Sequence, residues 1–439
     1  MNKIKNAPQS VEQTKNNRKI ISKNALEKAY ITPFIFESEI LNSWCKFVKT
    51  YNISNYRQIE IQVVQCFSAI IAYCGQPNLP FFLLDLSDSG TGKSSNKRFQ
   101  FDILFKLIKD ELDLKFKNSD NKELLSFLME NKATYEGIYE TAINQPKFFV
   151  DLGEVGNALK NKDTKTTELL NMLTDKNGTN NILRRPVYKN AKALPPMIEN
   201  AKFYLSADTN IQQLGGNDSV IKEYLGGLFN RFIINYTKDI LSYENSKFNA
   251  NRPHSVEIQK FEKFITSFMS FYKQESYEID INLLKDNSKY DEFCRIIHTK
   301  KQNGDDEYKE LYNRVVQNLN AIIQTLHYLK QYEYMRKTNF KFQFSYKVSD
   351  ETIHEAIRFI LPYIDFTLLF SEINKQANAI GNIRQKMIEY IVNRIQSKGS
   401  CKIYDIAVHR SFKDYKTDEI RTILKDFITE NSDKTITII

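Results

Sequence analysis

Apolar positions along the chain change period several times, and each change marks an element. Phe36, Ile40, Trp44, Phe47 and Val48 share one helical face, and Val63, Val64, Phe67, Ile70 and Ile71 form the stripe of a second helix over Arg57–Cys74. Pro77 and Pro80 end that pattern. From Phe81 to Leu86 five of six residues are apolar, too short a run for a helix and suited to a strand covered on both faces. An amphipathic helix is predicted over Ser95–Asp110, and Thr134 is placed to cap another over Tyr135–Asn144, with Gly137 a blemish inside it. Phe148–Val150 and Ala201–Ser206 read as further core strands, and Gly226–Tyr236 ends in one. Residues 240–345 read as largely helical, with Leu311, Val315, Leu319, Ile322, Ile323 and Leu326 inward on Tyr308–Tyr328.

Buried strands separated by helices predict an α/β fold built on a parallel sheet flanked by helices. The last 60 residues read differently. Helices are predicted over Ile383–Ile395, closed by Lys398-Gly399, and over Lys402–His409 and Thr417–Glu430. Thr417 stands as N-cap of the last, with Asp418 and Glu419 in its first turn, and Thr435–Ile439 is a β-prone tail. Three short helices and a strand suggest a winged helix-turn-helix. The chain therefore divides into a basic tail over 1–32, a helical region over 33–76, an α/β core over 77–240, a helical lid or linker over 241–379 and the winged unit over 380–439.

Composition narrows the picture without deciding it. With 439 residues and 41% hydrophobic content the chain has material for two or three cores. The net charge of +9 permits a polyanionic partner. Residues 1–32 carry seven Lys or Arg against Glu12 and Glu27, which fits a mobile basic arm and a frayed tail equally. The five cysteines are scattered without the spacing of a zinc site and read as buried thiols of a reducing compartment. No apolar run approaches a membrane span, and the lysines near Met1 lack an apolar signal core, so a cytoplasmic protein is expected.

The candidate chemistry starts at the first strand. Ser87–Ser94, SDSGTGKS, fits the phosphate-loop pattern G-x-x-x-x-G-K-[ST] with Ser87 in the place of the first glycine. Ser89, Gly90, Thr91 and Gly92 supply backbone amides for phosphate oxygens, Lys93 a cation, Ser94 a hydroxyl for Mg²⁺, and Ser95 continues the helix whose positive end faces the anion. The plain alternative is a flexible Gly/Ser loop with a chance lysine. In KFFVDLGEVG, Asp151 closes a strand and Glu154 follows three residues on. A strand-tip carboxylate suits metal binding and its neighbour suits orienting a water, so Asp151 is the expected metal ligand and Glu154 the expected base; two surface acids are the bland alternative. Asp85 also lies on a core strand, but ahead of the loop and on the wrong side for Mg²⁺. Asn210, with Thr209 second, stands at the end of the strand in FYLSADTN, where a polar group can touch a γ-phosphate. Arg231 precedes the strand in LFNRFIINY, placed either for a neighbouring subunit's nucleotide or for a structural salt bridge.

Two basic groups are candidates for nucleic acid. Arg184, Arg185, Lys189 and Lys192 lie in Asn180–Ala193 with no acid among them, on a hairpin that could track a phosphate backbone or on a solvated loop. Arg410, Lys413, Lys416, Arg421 and Lys425 mark the winged unit, where basic residues outnumber acids eleven to eight. Arg314 reads as an exposed arginine on its helix.

In this order, SDSGTGKS, FFVDLGEVG, FYLSADTN and LFNRF, followed by helices and a winged unit, the chain over roughly 55–430 resembles the primase-helicase-associated P-loop ATPases of phages, plasmids and integrated elements, neighbours of the superfamily 3 and AAA+ helicases. The resemblance implies a P-loop NTPase core and ATP and Mg²⁺ as cofactors. It implies Lys93 and Ser94 as Walker A residues, Asp151 and Glu154 as Walker B, Asn210 as sensor and Arg231 as arginine finger. It also implies a homo-oligomer, often a hexameric ring, acting on DNA as a helicase or initiator. The motif reads D-L-G-E where the family has adjacent acids, which leaves the identity of the base open. No primase signature is present, so a separate primase is the expected partner. A nucleotide switch or helicase loader without unwinding shares every motif, and a defence or regulatory NTPase whose winged unit binds protein is the rival from another class.

Overall fold

In a computed structural model the protein is described over residues 32–52, 54–87, 92–117, 127–130, 135–155, 181–184, 197–209, 231–237, 253, 255–303, 314–341 and 343–438. Its centre is a parallel sheet of β1 (Phe82–Ser87), β2 (Leu128–Glu130), β3 (Lys147–Glu154), β5 (Met197–Thr209) and β6 (Phe232–Thr237), in the order β2-β3-β5-β1-β6. A further strand, β4 (Asn181–Arg184), runs antiparallel to the first part of β5. β1 is buried along its whole length, as its apolar run predicts. β5 is twice the expected length: its first residues pair with β4, and Lys202 onward pairs with β3 and β1. The hairpin expected within 180–193 therefore has its return arm at Met197–Ala201, leaving Arg185, Lys189 and Lys192 outside the described residues.

Two helices precede β1. Ser38 caps α1 (Glu39–Tyr51) by accepting from the Leu41 amide, and Asn55 and Gln58 cap α2 (Tyr56–Tyr73) reciprocally. Of the 18 residues of α2, 16 are buried, so this helix lies inside the α/β core, against β3, β5, β1 and β6. Its polar side chains are part of that contact: Gln65 Nε2 donates to the Phe81 carbonyl at 3.1 Å and to the Leu205 carbonyl at 2.9 Å. The helix expected over Ser95–Asp110 is two, α3 (Lys93–Leu104) and α4 (Lys106–Lys117), with a break at Phe105, whose ring packs on Phe127 and Phe149. α5 (Tyr135–Asn144) has the expected bounds, while Thr134 lies outside the described residues.

Beyond the sheet come α6 (Ser255–Tyr272), α7 (Ser288–Asn303), α8 (Val315–Lys337) and α9 (Asp350–Lys398). α8 runs nine residues past the predicted Tyr328. Phe264, Phe268 and Tyr272 of α6 meet Tyr328 and Tyr332 of α8, mostly edge to face. Each such buried ring contributes roughly 1.5–3 kcal/mol through burial alone. α9 also packs on β6, the edge strand. The segment before α1 and the first turn of α1 are held by acids of α2, α9 and α8: Glu60 accepts from the Phe34 amide, Glu355 from Glu37 and Glu333 from Ile40. Burial, opposed by the Arg57 charge, raises the Glu60 carboxyl to about 7, and burial raises that of Glu355 to about 7.

The end of α9 carries a separate small core. Met387 and Ile391 pack there with Cys401, Ile403 and Ile406, and with Ile420 and Leu424. These last belong to α10 (Ile403–Ala407) and α11 (Thr417–Leu424). The helix expected over Thr417–Glu430 is shorter: Ile428–Glu430 is β7, paired antiparallel with β8 (Ile436–Ile438). β-Branched Ile428 and Thr429 gain more from the ladder than from another helical turn. α9 is continuous from Asp350 to Lys398, so residue 380 falls inside a helix rather than at a break. Among the described residues no helix is long and apolar enough to cross a membrane.

Candidate active site

Parallel strands place their carboxyl ends together, and the crevice outside those ends is where open α/β sheets bind ligands. The register puts Asp151, Ser206, Asp208, Asp85, Ser87, Asn235 and Thr237 on one face at that end. Four strands thus contribute one polar layer, and α2 and α3 supply its partners. Gln58 Nε2 donates to Asp85 Oδ1 at 3.3 Å and Asn235 Nδ2 to the same oxygen at 2.9 Å. Asn55 Nδ2 donates to Thr237 Oγ1 at 2.7 Å. Burial lifts the Asp85 carboxyl to about 6, and the two amide donors hold it from rising further. Asp85 is buried and belongs to this scaffold; the register sets it on the same face as Asp151 and Asp208, not on the opposite side that its place ahead of the loop suggests.

The loop after β1 closes on Gly92, whose φ of 79° is left-handed backbone that glycine adopts without strain. Its carbonyl accepts from the Asn96 amide at 2.8 Å, from Ser95 Oγ at 2.9 Å and from Ser54 Oγ at 3.0 Å. Ser95 therefore shapes the start of α3, and Ser94 is the exposed hydroxyl beside it. Ser89, Gly90 and Thr91 lie outside the described residues. Lys93 is buried; its Nζ donates to the Ser87 carbonyl at 3.2 Å and stands 3.9 Å from Glu154 Oε2. The amides of the first turn of α3 have no partner within the helix and carry the positive end of its dipole.

β3 brings the acids. Its register against β5 shifts between Asp151 and Glu154, with Gly153 at φ 58°. A bulge of this kind re-aims side chains near a strand end. It separates the two: Asp151 is nearly enclosed and Glu154 is over a third exposed, beside Lys93. Asp151 Oδ1 accepts from the Gly153 amide at 3.2 Å and from Lys97 Nζ at 2.6 Å, and no described residue bonds Oδ2. The lysine also stands 2.7 Å from Asp208 Oδ2. Burial lowers the Lys97 pKa, but Asp151 and Asp208 together outweigh it and hold it above the ordinary lysine value.

Lys97 and Asp208 were not among the sequence candidates. Two signals point to them: Lys97 lies one turn after Lys93 on the face that carries Phe101 and Leu104, and Asp208 continues the alternation of Tyr204 and Ser206. Asn210 lies outside the described residues, and Thr209, its alternative, is buried with no described partner for its hydroxyl. Arg231 immediately precedes β6, at the amino end of the strands, whereas the loop follows the carboxyl end of the neighbouring β1. Six strand residues span about 20 Å, so Arg231 is out of reach of its own chain's Lys93. Arg184 contributes backbone to β4, and its side chain lies outside the description. In the C-terminal unit Arg410, Lys413, Lys416 and Lys425 are exposed. Arg421 is instead held by Glu430 at 3.0 Å and Asp418 at 2.9 Å.

Among the described residues no group of three or more His, Cys, Asp or Glu is placed to hold a metal ion by itself. The donor types present suit a magnesium nucleotide: an exposed Ser94 on the first turn of α3, an Asp151 oxygen with no described partner, Lys93 and a helix N-terminus. Neither the family models nor the curated proteins with which the chain was compared match it.

Proposed function

We propose that the chain is a P-loop ATPase that hydrolyses ATP with Mg²⁺ and couples this to DNA, as a helicase or replication initiator of a phage, plasmid or integrated element. The observation that carries the reading is Lys93, held between the Ser87 carbonyl and Glu154 at the carboxyl ends of β1 and β3. Lys93 and the first amides of α3 bind the β and γ phosphates. Ser94 and Asp151 would hold Mg²⁺, which would supply charge neutralisation at the phosphates. Glu154, the more exposed acid, orients the attacking water and takes its proton on a carboxylate oxygen. The spacing in D-L-G-E supports this division of labour, since the bulge at Gly153 gives the two acids different surroundings. Arg231, too far from its own loop, serves a neighbouring subunit's nucleotide in a ring.

The C-terminal unit favours a second reading for its own partner. α11 presents Asp418 and Glu419, and Arg421 is neutralised by Asp418 and Glu430. Such a face suits a protein surface better than phosphate, as in a loader or a regulatory NTPase. DNA-stimulated phosphate release, measured with oligomer mass with and without nucleotide, tests the main reading. Unstimulated turnover in a strict monomer would overturn both the motor and the role of Arg231.

A further inference from the structure

Lys97 has an unusual position. Its side chain is almost wholly enclosed, and its ammonium stands 2.6 Å from Asp151 Oδ1 and 2.7 Å from Asp208 Oδ2. The two carboxylates come from neighbouring strands: Asp151 lies opposite Ser206, and Asp208 lies opposite Glu154. The two facing oxygens are thus within about 5 Å of each other, an arrangement that attracts a divalent cation when nothing else neutralises it. Asp151 spends one oxygen on Lys97 and on the Gly153 amide and keeps the other.

We propose that Lys97 is an internal counter-cation of the nucleotide site: it occupies the space between Asp151 and Asp208, excludes divalent ions from the empty site, and orients Asp151 so that only Oδ2 faces an arriving metal. This role rests on the magnesium-nucleotide reading. Lys97 is a positioning residue in it, acting through Asp151, and the metal then enters with the nucleotide. Because α3 also begins at Lys93, the same ammonium ties the phosphate-binding end of that helix to β3 and β5.

The test uses Mn²⁺ as the probe, with free Mn²⁺ followed by electron paramagnetic resonance in the full chain. Nucleotide-free wild type is expected to bind Mn²⁺ only at millimolar concentrations. K97M, unbranched and uncharged, is expected to bind it about tenfold or more tightly, and K97M/D208N to lose that gain. Equal binding by folded wild type and K97M overturns the proposal. Where K97M does not fold, wild type decides. Mn²⁺ bound only together with a non-hydrolysable ATP analogue supports the role. Micromolar nucleotide-free binding that is lost in D151N overturns it. Absence of analogue binding in wild type, with the Mn²⁺ gain intact in K97M, overturns the ATPase reading and leaves Lys97 as the cation that closes this acid pair.

Discussion

The polar layer at the sheet's carboxyl end and the C-terminal unit both carry many charges, but they use them in opposite ways. At the sheet, Lys97 is bound to acids 54 and 111 positions away, and Asp85 to Gln58 and Asn235. In the C-terminal unit, Arg421 pairs with Asp418 and Glu430, three and nine positions away, at the surface. Buried pairs between distant elements have desolvated their charges, and losing one partner strands the other. Exposed local pairs are screened and their loss is absorbed by water. The two regions should therefore respond to substitution on different scales.

The largest effect is expected at Lys93. Lys93→Ala should lower ATP turnover by on the order of 10²–10³-fold, as for loss of a donor to transition-state charge, while circular dichroism stays that of the wild type. Full turnover in the variant would remove the assignment of the site. Glu154→Gln keeps the shape and removes the base. It should retain ATP binding, measured with a fluorescent analogue, while turnover falls by about 10²-fold or more. A variant that loses binding instead would show that Glu154 acts mainly on the position of Lys93.

A second scale is set by buried acids. Glu60 and Glu355 have folded values near 7 against an ordinary 4.5, and Asp85 near 6 against 3.8. Between each pair of values the folded chain holds a proton that the unfolded chain releases, so these groups favour folding at low pH and that contribution is lost as pH rises through the folded value. His327 acts in the other direction: burial lowers it to about 4 from 6.5, and its contribution is lost as pH falls through that window. From pH 7.5 to 5.5 these three carboxylates, with Glu333 and Asp365 also raised by burial, oppose the His327 imidazole. The thermal midpoint should therefore rise on acidification, and Glu60→Gln should flatten the rise. A midpoint that falls steadily over this range would mean that these acids are ionised in the folded protein.

The contrast also explains what was legible in the sequence. β1, the loop residues from Gly92 to Ser94, and the acids of β3 were legible because each is a local pattern: an apolar run, a glycine-lysine-serine string, a strand with acids at its tip. Lys97 and Asp208 are only partly legible: periodicity sets them on the faces of Lys93 and Ser206, but their pairing takes shape only when α3 is laid against β3 and β5. The burial of α2 is half legible: its apolar stripe is plain, but nothing local marks Gln58 and Gln65 as buried, because their partners, Asp85 and the Phe81 and Leu205 carbonyls, lie far off in the chain. In the C-terminal unit the first predicted helix, Ile383–Ile395, is only the end of α9, and the third reads too long, since Ile428 and Thr429 continue a helical pattern as readily as they enter a ladder with β8.

The smallest effects are expected in the C-terminal unit, and they separate its two readings. Lys413 and Lys416 are exposed. If they meet phosphate, K413A/K416A should weaken DNA binding at low salt by about tenfold and reduce the slope of log affinity against log salt by about 2. Arg421 is different, because its guanidinium is already shared between Glu430 and Asp418. A phosphate would have to displace two carboxylates to reach it, so Arg421→Ala should change DNA affinity by less than about twofold. Filter binding on the three proteins at two salt concentrations reads both outcomes. If neither the lysine pair nor Arg421 alters binding, the acids of α11 direct the unit toward a protein. If Arg421→Ala matches the lysine pair, the local ion pairs open on contact with DNA, and the distinction between surface pairs and the buried layer is one of exposure alone.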